Sequence, residues 1–237
     1  MFTGAQFPSH FIPDMLTGLD EPVRRYFSHA IREGAPLGGV RLVMHGRIKA
    51  GIWLPFTAVE QCDGRSFVWR ARVGWKAFAP LAVTDRFADG IGGTQIRLGN
   101  RVTLAQARDE DTARSAAGRA ALESVVFAPT RVLPVQGVSW HAEQPEVIVA
   151  DFALFPERPQ VRVRLDEHGA VREVWAQRWG PLARRRFGYL PCGGVIHAER
   201  CFGDLVVPSK ITVGWWFGTD RFTPFFRAEI DHLLPLP

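Results

Sequence analysis

From Val40 the chain alternates. Val40, Leu42, Met44 and Ile48 take turns with Arg41, His45 and Arg47, the period of two that a half-buried strand requires. Residues 53–62 (WLPFTAVEQC) and 66–73 (SFVWRARV) continue it, separated by the turn signal Asp63-Gly64. In the second of these, Phe67, Trp69, Ala71 and Val73 share one face while Arg70 and Arg72 share the other. Two more strands follow at 81–88 and 94–98, joined through Asp89-Gly90-Ile91-Gly92-Gly93, so this part reads as an antiparallel meander. Ahead of it the period is that of a helix. In LDEPVRRYFSHAIREG, from Leu19, the apolar positions Val23, Tyr26, Phe27, Ala30 and Ile31 form one stripe, with Asp20 as N-cap and Gly34 as the C′ residue.

The alternation breaks at 111–127 (DTARSAAGRAALESVVF). This stretch predicts a second helix with Ala117, Ala121, Leu122, Val125 and Val126 on its packed side, closed by a short turn at 129–133. Strands resume at 138–141, 147–154, 161–165 and 171–179, and residues 184–194 read as a loop. Further strands are expected at 195–202, 211–217 and 225–233. The pattern amounts to about eleven strands and two or three helices. Crossover helices between strands are missing, which excludes a doubly wound fold. The expected fold is α+β: an N-terminal extension over 1–18, then a single domain over 19–237 with a strongly curved antiparallel sheet around the helices.

At 237 residues and 46% hydrophobic the chain can bury a substantial core. No apolar run is long enough for a membrane helix, and the first residues, MFTGAQFPSHFIPDM, lack the pattern of a secretion signal, so a cytoplasmic protein is expected. Cys62, Cys192 and Cys201 read as free thiols. The net charge of +5 rests almost wholly on arginine, since Lys49, Lys76 and Lys210 are the lysines. The arginines are scattered, with a run only at Arg184, Arg185 and Arg186, and a nucleic-acid footprint would be clustered, so no nucleic-acid partner is expected.

The segments EPVRRYFSHAIREGAPL, WLPFTAVEQ, FVWRARV, VVFAPTRVLP, VSWHA and VPSKITVGWWFGTDRFTPFFRAEI resemble successive blocks of a bacterial family of unknown function. That family recurs with a PVRRYL helix, a WxPFxA strand, an FxWxA strand and a WFPTxLLP helix. The resemblance runs from about Glu21 to the C-terminus. The order of elements is also similar to the lipoprotein-carrier (LolA/LppX-like) half-barrel, which implies a curved sheet wrapped over helices with room for acyl chains. The chain departs from these patterns in having no lipid-attachment cysteine. It also reads Val126-Phe127-Ala128-Pro129-Thr130 where the family has its WFPT helix, so one aromatic is lost there.

Candidate chemistry is sparse. The stretch TVGWWFGTDRFTPFFRAEIDHL carries six large aromatics. Its alternation puts Ile211, Val213, Trp215 and Phe217 on one face and Trp216 on the other, either as edge packing or as part of a ligand cavity. His197 and Glu199 would share a strand face but lack a third ligand for a metal, so neither metal nor cofactor is expected. No nucleophile elbow or zinc-protease motif is present. Asp85 lies on the phase of Leu81, Val83 and Phe87, and Glu60 on that of Phe56 and Ala58. An inward carboxylate there needs a partner, most naturally arginine. The leading expectation is non-covalent binding of a hydrophobic or lipid-like small molecule. Trp53, Trp69, Trp215 and Phe217 would line the site, and Arg70 or Arg86 would orient a polar end. The alternatives are a cofactor-independent cyclase, isomerase or dehydratase using Asp85 or Glu60 as acid–base, and a structural protein–protein module.

Overall fold

The structure is a computed structural model that describes residues 9–75, 81–99, 101–183 and 186–236. Two antiparallel meanders and one connecting helix account for the topology. The first meander runs β1 (Val40–Ala50), β2 (Ile52–Cys62), β3 (Phe67–Val73), β4 (Leu81–Ala88), β5 (Ile91–Leu98) and β6 (Val102–Ala107). Helix α2 (Glu110–Phe127) follows. The second meander runs β7 (Ser139–Gln144), β8 (Val147–Asp151), β9 (Gln160–Leu165), β10 (Val171–Ala183), β11 (Arg186–Phe202), β12 (Leu205–Trp215) and β13 (Thr223–Pro235). The first and last strands pair at the centre, so the described strands form one 13-stranded sheet in the order β6-β5-β4-β3-β2-β1-β13-β12-β11-β10-β9-β8-β7. Their seam runs from Val40↔Pro235 to Ile48↔Phe226. Gly46 is required within it, because a Cβ there would overlap the Arg227 carbonyl.

The sheet curls, and α2 shows how far. On this helix Ala113 lies against Gly92 of β5, while two residues on the Ser115 carbonyl accepts a hydrogen bond from Arg178 Nε of β10 at 2.9 Å. Strands β5 and β10 are eight steps apart in the sheet, which would be about 38 Å if it were flat. They meet the same turn of one helix. Residues on nearly all sides of α2 are therefore buried, from Ala113, Ala117 and Ala121 to Leu122 and Val126. Small side chains are what allow so close an approach. Asp109 caps the helix, accepting from Thr112 N at 2.8 Å, so that α2 begins one residue earlier than the sequence pattern predicts.

Helix α1 (Glu21–Ala30) buries the expected stripe and closes one end of the sheet: Phe27 and Tyr26 pack on Trp140, and Tyr26 Oη donates to the Val125 carbonyl of α2 at 2.7 Å. Asp20 occupies the N-cap position but does not cap. Its carboxylate accepts instead from Ala142 N on β7 at 2.7 Å. Of residues 9–18, Phe11 and Leu16 are buried in the same core.

Three elements differ from the pattern reading. Residues 186–194 are not a loop but the first half of β11; Arg184 and Arg185 lie outside the described residues. Pro191 sits beyond the last β11–β12 pair, Cys192↔Trp215, so its missing N–H removes no ladder bond. Strand β6 was not expected. It is an edge strand exposed along almost its whole length, and no buried face marks it in the pattern. The strand ending at Phe217 stops at Trp215 because Trp216 takes a left-handed φ of 60°.

Gly92→Ala should lift α2 from β5, since a Cβ there would lie 2.6 Å from the Ala113 Cα. The expected loss is about 1–3 kcal/mol in denaturant unfolding. An unchanged midpoint would show that the helix is not seated against this strand.

Candidate functional site

Between α2 and the inner face of the curled sheet, away from α1, lies a cavity of about 380 Å³. Its walls are apolar: Leu122 and Val126 from α2, Ile48, Val83, Ile96, Val174, Val213 and Phe226 from six strands. Several of these, among them Ile48, Leu54, Leu81, Val213 and Phe225, are only half-buried, so the space opens toward the tips of the β1–β2 and β12–β13 connections. The aromatic C-terminal stretch divides between the two faces of the sheet. Phe226 faces in and stacks on Phe56 at 5.1 Å, near Trp69. Phe225 is the extra residue of a bulge, at the register shift between Val213↔Phe226 and Gly214↔Pro224, and so lines the cavity next to Phe226. Its ring meets Trp215 at 5.7 Å.

The polar wall is one buried guanidinium among three carboxylates. Arg119 of α2 donates from Nη1 to Asp85 Oδ2 on β4 and from Nε to Glu123 Oε1 at 2.7 Å, and its Nη2 lies 3.5 Å from Glu60 Oε1 on β2. Thr94 Oγ1 donates to Asp85 Oδ1 at 2.7 Å. The ring of Phe67 lies 4.4 Å from the guanidinium carbon and that of Trp69 5.5 Å. Burial disfavours the Arg119 charge, but Glu123, Asp85 and Glu60 together outweigh it and hold the group cationic. Glu60 is 1% exposed. Burial above all, and then the Glu123 carboxylate, push Glu60 well above the usual carboxyl range against the pull of Arg119. Glu123 and, more weakly, Asp85 add to that rise in Glu60. Burial, with Glu60 nearby, raises the neighbouring Cys62 thiol to about 12.

The structure brings together only part of the expected site. Trp69, Glu60 and Asp85 line the cavity, while Trp215 packs against the core beside Phe225 without lining it. The other four do not line it. Trp53 alternates with the inward Leu54 and points out, where Arg227 covers its ring at 4.7 Å. Phe217 lies past the left-handed Trp216, which reverses its phase, and it stacks on the outward Trp175 at 6.1 Å. Arg70 and Arg86 are exposed on the outer face, as neighbours of the inward Trp69 and Phe87 must be. The arginines that do face the cavity are Arg119 and Arg178. Arg119 carries a sequence signal: it stands four residues before Glu123 and among the alanines of α2. His197 and Glu199 are parted by bulges in β11, so that His197 bonds Thr212 and Glu199 bonds His29 of α1, each at 2.9 Å. Among the described residues no group of three or more His, Cys, Asp or Glu is placed to hold a metal, and no helix is long and apolar enough to cross a membrane.

These features define an α+β protein whose open, curled antiparallel sheet encloses an apolar cavity against a buried helix. The chain belongs to the DUF6920 family, a family of unknown function, whose model matches residues 17–234. No curated protein matches it. Among solved structures, a domain assigned to outer-membrane lipoprotein sorting from Vibrio parahaemolyticus superposes with a TM-score of 0.48 at 10% identity, over 84% of this chain and 86% of the other. A LolA superfamily protein from Nitrosomonas europaea gives 0.47 at 7% identity, over 91% and 93%. A DUF1329 family protein from Desulfovibrio piger gives 0.42 at 11%, over 94% and 91%.

Two variants test the charge assignment. A carboxyl whose folded-state value is raised contributes stability that is full below its usual value of 4.5 and is lost as pH climbs toward the folded-state value. Glu60→Gln keeps the neutral form at every pH. It should match wild type near pH 4.5 and gain on it above, by at most about 1.4 kcal/mol per pH unit. Asp85→Asn instead removes the charge paired with Arg119 and should cost about 2 kcal/mol at neutral pH. A Glu60→Gln variant less stable than wild type at neutral pH would mean that Glu60 is ionised.

Proposed function

We propose that this protein binds a hydrophobic, lipid-like small molecule non-covalently in the cavity between α2 and the sheet, which wraps the helix as a half-barrel. The cavity itself carries the proposal. Its 380 Å³ falls within the ~300–1,000 Å³ of small-molecule pockets, and it combines apolar walls with a few convergent polar groups. Protein interiors otherwise fill such space. At ~24 cal/mol per Å³ of closed cavity, 380 Å³ sets an upper bound of about 9 kcal/mol on what is forgone, reduced where the mouth admits water. Larger side chains at Val174, Val213 or Ile96 would recover part of that without altering the topology, so the space is kept for an occupant.

A second reading, a cofactor-independent cyclase, isomerase or dehydratase, draws support from the buried Glu60 carboxyl at the cavity wall, raised above its usual range. It ranks behind binding because Arg119 engages Asp85, Glu123 and Glu60 together. A carboxylate pinned by a guanidinium is a poor general base.

Val213→Trp, at the half-buried mouth, should fill the cavity. Binding of an uncharged naphthylamine dye, read by its fluorescence, is expected to fall at least about tenfold with the melting temperature held or raised. Equal dye binding by wild type and variant would place the dye elsewhere and remove the support for a ligand cavity.

A further inference from the structure

The charged and unpartnered groups along the cavity wall narrow the ligand class. Glu60, Trp69 and Asp85 are direct cross-strand neighbours on β2, β3 and β4, all on the inner face. Trp69 is 3% exposed, yet its Nε1–H has no hydrogen-bond partner, and Glu123 Oε2 has none from a conventional donor. A buried indole N–H without an acceptor is costly and uncommon. Here it belongs to a side chain that lines the cavity.

Charge selects among the oxygens that could accept from it. Burial and the Glu123 carboxylate raise Glu60, which favours its neutral form. Asp85 and Glu123 then face the one guanidinium of Arg119, which leaves the stretch of wall around Trp69 with a surplus negative charge. A carboxylate or phosphate head beside Trp69 would add to that surplus in a poorly solvated place. An ammonium head would suit the charge but cannot accept the Trp69 proton. A hydroxyl can accept from Trp69 and donate toward Glu123; a carbonyl can accept.

We infer that the cavity takes an uncharged amphiphile, a long-chain alcohol or ketone, whose oxygen accepts the Trp69 Nε1–H beside Glu60 and Glu123. The inference rests on the ligand-binding reading given above. The competing anchor is Arg178, which also lines the cavity and has no carboxylate within ion-pairing distance among the described residues. Its guanidinium is already engaged: Nε donates to the Ser115 carbonyl at 2.9 Å and Nη2 to Ser115 Oγ at 3.2 Å, and Trp215 lies 5.2 Å from its carbon.

The experiment displaces the naphthylamine dye with dodecanol, dodecanoate and dodecylamine at about pH 8, where the acid is ionised and the amine charged. Dodecanol should displace it at least about tenfold more tightly than either charged ligand. Trp69→Phe, which keeps an aromatic ring and loses the N–H, should weaken dodecanol about fivefold more than it weakens the dye. Dodecanoate binding as tightly as dodecanol, and losing that affinity in Arg178→Leu, would overturn the inference in favour of an anionic ligand held by Arg178. Dodecylamine binding most tightly would overturn it in favour of a cationic one. If wild type binds neither dye nor any of the three, the ligand-binding reading fails and the inference falls with it. If the dye binds but Trp69→Phe weakens dodecanol no more than the dye, only the inference fails.

Discussion

One buried guanidinium organises the inner face of this sheet. Arg119 reaches from α2 to β4 and toward β2, and placing its charge in the core obliges Asp85 and Glu60 to occupy strand phases otherwise reserved for apolar residues. Arg178 makes the complementary tie from β10 back to the helix carbonyl of Ser115. The two meanders are joined covalently through α2 and by hydrogen bonds through the β1–β13 seam. These arginine contacts fix how tightly both halves close around the helix. Removing the Asp85 carboxylate therefore does more than delete one contact, because it leaves a charge that the interior cannot solvate.

The cavity follows from a mismatch of sizes. A 13-stranded sheet curled into one bowl presents a wide apolar surface, and a single alanine-rich helix fills only part of it. At one end α1 completes the packing, with Tyr26 and Phe27 against Trp140. At the other, Leu122, Val126 and Phe226 meet open space rather than further side chains. The same small residues that let the sheet approach α2 near Gly92 leave the helix too slender to fill the bowl beyond it.

Much of this was legible as pattern. Alternation located most of the strands and the inward phase of Trp69, Glu60 and Asp85, because one face of the sheet is buried and the other is wet. Legibility ended where local geometry overrides period. Nothing in TVGWWF announces that Trp216 turns left-handed, so Phe217 was assigned to the wrong face, and the Phe225 bulge was equally silent. Trp53 was selected for its size when its own phase already placed it outside. Arg70 and Arg86 were chosen from strands, where neighbours of inward residues must face out. The arginine that matters stands on α2, and helical position alone does not reveal that this helix is buried on nearly all sides. The edge strand β6 has no buried face from which to be read.

The central claim is that an apolar ligand occupies the space between α2 and the sheet. Methyl-labelled NMR spectra of isoleucine, leucine and valine, recorded while dodecanol is titrated in, locate the ligand without reference to its affinity. Shifts should concentrate on Leu122, Val126, Val174, Val213 and Ile96, which line the cavity, and spare Val102 and Leu104 on the exposed edge strand. Shifts confined to that edge or to the outer face, with the cavity methyls unmoved, would contradict the account.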